Sequence, residues 1–129
     1  MVVKQIKISQ TAKEQLIKLK RKTKIQNWNV LCRWAFCRSL AEPTKPSPMH
    51  IPADSSVEMS WPVFGGSFGP LFWAALTQRC HEDGRQLSDE VLAEQFRLHL
   101  HRGISYLAGE KSLSGIEDLI ALGVTGGAG

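Results

Sequence analysis

Three cysteines, four histidines and the adjacent acids Glu82-Asp83 and Asp89-Glu90 are side chains in this chain with chemistry to offer. Cys32 and Cys37 lie five apart in one apolar stretch, so on a helix they point in different directions. Cys80 has only His81 beside it, and no third or fourth ligand at a usable spacing argues for zinc or an iron–sulfur cluster. The cysteines read as core residues, and their odd number suits a reducing compartment better than a disulfide framework. His99 and His101, two apart in a helical stretch, fall on opposed faces and cannot share a metal. Glu82-Asp83 and Asp89-Glu90 read as surface and helix-cap acids. Gly65-Gly66-Ser67 with Gly69 lacks the Gly-Lys-Ser/Thr ending of a phosphate loop, and no lysine lies between Lys45 and Lys111; it reads as a turn before a helix. No nucleophile–base pair and no nuclease-like His/Asp/Glu constellation is recognisable. The expectation is a protein without catalytic residues, metal or cofactor.

Charge is the stronger signal. Residues 1–40 hold ten bases and one acid, Glu14, for a net +9, whereas the remaining 89 residues carry −5 of the total +4. That asymmetry points to a polyanionic partner for the N-terminal third. The candidate contacts are Lys4, Lys7, Lys13, Lys18, Lys20, Arg21, Lys22 and Lys24. A merely solvated face and an anionic membrane surface are the competing readings; the adjoining strand and aromatic helix favour a folded nucleic-acid module. Lysine is a flexible point charge, so phosphate contact is expected rather than base reading, with steep salt dependence.

These side chains need elements to position them. Lys4, Ile6 and Ile8 alternate with Gln5, Lys7 and Ser9 as in a short strand. Thr11 and Glu14 have capping-box spacing, which predicts a helix from about Ala12 to Lys24. On it Ala12, Leu16 and Leu19 share a narrow apolar side opposite the cations. Asn27 is placed to cap a second helix, Trp28 to about Ala41, apolar around more than half its circumference. Five of the six prolines fall within residues 42–62, an extended connection with room for a brief strand near Val57–Met59. The continuous apolar run from Leu71 to Leu76 predicts a central helix to Asp83, buried nearly all round. Ser88, with Asp89 and Glu90 behind it, caps a fourth helix that stops at Gly109. A last short helix is expected over 114–122, and a frayed tail over 123–129.

The fold class expected is mainly α: a small helical domain with one short N-terminal strand, oligomeric through its wide apolar helices. Residues 1–122 form one domain, divided into a basic strand-helix-helix part (1–41), a proline-rich link (42–62) and an apolar helical part (63–122). No apolar run spans a bilayer and no signal peptide precedes the strand, so a cytoplasmic protein is expected. Strand, helix and helix within about 40 residues is also the order of ribbon-helix-helix regulators, in which two chains pair strands in the DNA major groove.

The segment Asn29-Val-Leu-Cys-Arg-Trp-Ala, together with Phe64-Gly-Gly and Gly103-Ile-Ser-Tyr-Leu, resembles the DndE family of bacterial DNA phosphorothioation (DNA sulfur modification). The likeness runs from about Lys4 to Leu122. It implies a small helical protein that forms a tetramer, binds nicked double-stranded DNA through clustered lysines, and works beside other sulfur-modification proteins. Onto this sequence it carries the lysines from Lys4 to Lys24. A non-catalytic DNA-binding subunit is the leading expectation, with a ribbon-helix-helix regulator and a DNA-nicking enzyme of the same system as alternatives.

Overall fold

A computed structural model describes residues 3–111 together with 115, 117, 118, 120 and 121. Of the helix expected over 114–122, residues 117, 118, 120 and 121 are described and are helical, whereas 114, 116, 119 and 122, and the whole tail 123–129, lie outside the described residues. The architecture is mainly helical with one two-stranded antiparallel sheet. Strand β1 (Gln5–Lys7) buries Ile6 and exposes Gln5 and Lys7. It pairs with β2 (Glu58–Ser60), setting Gln5 opposite Ser60, Ile6 opposite Met59 and Lys7 opposite Glu58. On its other edge the Lys7 carbonyl accepts a hydrogen bond from Arg97 Nη2 at 3.3 Å. One edge of β1 is thus paired within the chain, and on the other edge the Lys7 carbonyl is engaged by Arg97.

Helix α1 (Gln10–Thr23) starts earlier than the capping-box spacing predicts. Ser9, in extended backbone, accepts from the Ala12 N–H through its Oγ, and Asp54 Oδ1 accepts the Gln10 N–H at 2.8 Å. These two oxygens satisfy first-turn donors before Thr11 is reached, so Thr11 and Glu14 stay exposed. Ser9 is consequently buried rather than part of an outward strand face. Helix α2 (Trp28–Ala41) has the expected bounds, although the Asn27 side chain closes no cap bond. It buries Leu31, Cys32, Ala35, Phe36 and Ser39.

After β2 the WPVFGG bend is more ordered than a turn. Ser60 Oγ caps a one-turn helix α3 (Trp61–Gly65), with Pro62 in its first turn where the missing N–H costs nothing. A 3-10 turn follows (Gly66–Phe68). Gly66 has φ 54° and ψ −140°, a backbone that glycine adopts freely. Arg33 of α2 closes this end by donating its Nε to the Phe64 carbonyl and its Nη2 to that of Val63.

Helix α4 (Gly69–Glu82) corrects the expectation of an all-round buried element. It is peripheral, with Leu71 63% exposed, and its buried residues are Gly69, Leu76, Arg79 and Cys80. An uninterrupted apolar run does not say how many sides of a helix have neighbours. The central helix is instead α5 (Asp89–Gly109), capped by Ser88 Oγ and packed against α1, α2 and α4. Trp61, Phe64, Phe36 and Phe96 interlock at the middle of the core, with ring centroids 5.1–5.9 Å apart.

Candidate nucleic-acid interface

The buried stripe of α1, Ala12, Leu16, Leu19 and Thr23, divides its cations into two flanking rows. Lys13, Lys20 and Lys24 lie on one side at helical spacing, and Lys18 and Lys22 continue the row of Thr11 and Gln15 on the other; Arg21 projects between them. Lys20, Arg21 and Lys22 occupy the last turn, where the helix dipole favours positive charge.

The eight expected contacts are not equally placed. Lys4, Lys7, Lys18, Arg21 and Lys24 are exposed, and Lys22 is half-buried. Lys13 donates from Nζ to Ser56 Oγ at 3.0 Å. Lys20 lies over the Trp28 ring, its Nζ 3.5 Å from the centroid, in a cation–π contact that ties α1 to α2. Lys7 faces Glu58 in the ladder, which offsets its charge. Among the described residues none of the cations of α1 is ion-paired, so the least encumbered cluster is Lys18, Arg21, Lys22 and Lys24.

Three arginines outside the basic segment have another task. Prolines leave the link without a regular ladder, and its carbonyls need donors. Arg79 Nη2 and Arg102 Nη1 both donate to the Thr44 carbonyl, at 2.7 and 2.8 Å, and Arg97 Nη1 donates to that of Ile51 at 2.8 Å. Arg79 is itself neutralised by Asp83 at 3.0 Å. This stapling was not legible from composition; the only signal is that isolated arginines follow a proline-rich stretch. The segment so held forms one wall of a groove of about 410 Å³, with Ser9, which caps α1, Ala12 and Gln15 of α1, and Leu98, Ser105 and Tyr106 of α5 among its lining.

The residues with catalytic potential remain dispersed. Among the described residues no three His, Cys, Asp or Glu side chains converge as a metal site. Cys32 and Cys80 are buried as expected, and burial pushes the Cys32 thiol up to about 12, which suppresses the thiolate. Cys37, expected in the core, is exposed because it sits on the outer side of α2. His99 and His101 do take opposed roles: His99 Nδ1 lies 2.8 Å from Ser39 Oγ in the core, and His101 Nε2 accepts the Ser9 N–H at 3.2 Å. Among the described residues no helix is long and apolar enough to cross a membrane.

The fold is similar to the crystal structure of DndE from Escherichia coli B7A involved in DNA phosphorothioation modification, at 25% identity and a TM-score of 0.69. It also resembles a DndE carrying two glycine-to-lysine substitutions, involved in DNA phosphorothioation, at 22% identity and a TM-score of 0.65. Each superposition covers 83% of this chain and 98% of the other. No protein with a curated description matches. Residues 5–115, from β1 past the end of α5, match the family described as DNA sulphur modification protein DndE, and the chain belongs to that family.

Proposed function

We propose that this protein is a non-catalytic, DNA-binding subunit of a bacterial DNA phosphorothioation machinery, acting in the cytoplasm on nicked double-stranded DNA. The observation that carries the reading is the group Lys18, Arg21, Lys22 and Lys24 on α1, without an ion-pair partner among the described residues. Such a cluster gains by displacing counterions from phosphates, and lysines accept any base sequence. A nick supplies local flexibility, so a duplex can bend across a convex basic helix at low cost. Val63, Phe68 and Leu71, each at least half exposed around the α3–α4 junction, support a contact between copies and hence an oligomer, for which a tetramer is the reading. The other sulfur-modification proteins are the partners the reading implies. The pairing of β1 with β2 of the same chain counts against a ribbon-helix-helix regulator, in which that strand pairs with a second copy.

The test is binding to matched intact, nicked and single-stranded oligonucleotides over a salt series, with products run on a denaturing gel. Tighter binding of the nicked duplex, without new strand breaks, is expected. Replacing Lys18 and Lys22 together by Ala should lower the salt slope by about two. An unchanged slope overturns the lysine grip, equal binding of all three substrates overturns nick preference, and new breaks overturn the non-catalytic assignment.

A further inference from the structure

The groove beside the cationic helix has features that phosphate gripping does not require. Its floor is apolar, with Ala12, Ile51 and Leu98 buried there. Leu98 does not belong to the main core cluster, so it is buried under the groove rather than in the interior. The rim is polar, carrying Thr11, Gln15, His50 and Ser105. A volume of about 410 Å³ lies in the range of small-ligand sites, which pair apolar walls with a few polar groups.

The wall is also fixed in advance. The segment between Thr44 and Ile51 is held at both ends by guanidiniums, from Arg79 and Arg102 at one and Arg97 at the other. Tyr106 is steadied by the guanidiniums of Arg38 and Arg102, 5.0 and 5.6 Å from its ring centroid. A groove that is already formed loses little entropy on occupation.

Charge places the occupant. Thr11 and Gln15, at the groove, share one helical row with Lys18 and Lys22, and Lys22 stands roughly 10 Å beyond Gln15 at the helical rise. A flat apolar group in the groove would therefore carry its attached anionic chain along a line of cations. We infer that the groove receives an unpaired nucleobase of a DNA strand whose phosphates follow Lys18 and Lys22. The Gln15 amide supplies both donors and an acceptor for a base edge. Met49, 66% exposed beside it, offers a flexible apolar cover. This inference rests on the DNA-binding reading and adds a base subsite to it.

The experiment compares short single-stranded oligonucleotides, one bearing bases and one abasic with the same phosphates, by fluorescence anisotropy. Nicked duplex is titrated in parallel. The wild type should prefer the base-bearing strand about tenfold, as one well-packed base contributes. Ser105→Trp, at an exposed rim position, should abolish that preference while binding to nicked duplex is retained, and Gln15→Ala should reduce it. Equal affinity of the wild type for the two strands, or a preference unaffected by Ser105→Trp, overturns the inference. A base preference without salt-dependent duplex binding keeps the groove and overturns the wider function; absence of both overturns the two together.

Discussion

Gly103 of α5 lies so close to Ala35 of α2 that a Cβ on the glycine would sit 1.7 Å from the Ala35 carbonyl oxygen. The obstacle is backbone, which no side-chain rotation removes. It lies in the most extensive helix–helix contact of the fold, between the apolar faces of α2 and α5.

Gly103→Ala sets two terms against each other. Alanine improves helix propensity by about 1 kcal/mol. Forcing α2 and α5 apart costs more, typically 1–3 kcal/mol for an overpacked site and here toward the upper end because backbone must shift. The expected result is a net loss of about 2 kcal/mol or more in urea unfolding. A variant as stable as the wild type would show that the helices do not cross this closely.

Lys20 should behave as a structural cation. Its ammonium rests on Trp28 in a contact worth about 0.5–1 kcal/mol at a partly exposed site. Lys20→Ala should cost that much stability, and Lys20→Arg should recover most of it. Because Lys20 is engaged, Lys20→Ala should lower the salt slope of DNA binding by less than Lys18→Ala does, a comparison read from the same titration.

Much of this frame was legible in the chain itself. The α2 span and the Ser88 cap follow from local patterns, because apolar spacing and a capping oxygen act within one or two turns, whereas Asn27 marks the start of α2 without closing a cap bond. What was not legible depends on neighbours distant in sequence. Ser9 displaces Thr11 as cap partly because Asp54, far along the chain, arrives to help. Leu71 is exposed because α4 has no partner on that side among the described residues. Lys13 and Lys20 looked equivalent to Lys18 and Lys22 until the loop at Ser56 and the ring of Trp28 were placed against them. The arginine staples on the link are invisible to any local rule.

Two histidines give stability a pH dependence with a fixed sign. Burial, assisted by the charges of Arg102 and Arg79, holds His99 down to about 4, while Asp83 opposes this weakly. His101 is lowered mainly by burial, with its bond to the Arg97 carbonyl opposing. The unfolded chain therefore takes up protons first as the pH drops below about 6.5, and stability present at neutral pH is lost progressively toward pH 4. The loss from His99 is of order 3 kcal/mol at the acid end, and each unit within the window costs roughly 1 kcal/mol. Urea midpoints at pH 7, 6 and 5 and constant ionic strength should fall in sequence. A flat profile over that range would mean that both rings accept protons freely in the folded protein.

Lys24 sets stability against binding. It closes α1 with φ 65°, in left-handed backbone, while its N–H donates to the Lys20 carbonyl at 2.9 Å. A side chain in this conformation costs about 1 kcal/mol or more, which glycine avoids. Lys24→Gly also removes a like charge four residues from Lys20, worth a few tenths of a kcal/mol. Against these stand the loss of a cation at the helix C-terminus and the greater freedom of glycine in the unfolded chain. The net should be a gain of about 0.5 kcal/mol, seen as a higher urea midpoint. The same variant should bind nicked duplex more weakly, with a salt slope lower by about one. Greater stability with unchanged binding would place Lys24 outside the DNA contact, and lower stability would mean that its left-handed backbone carries no strain.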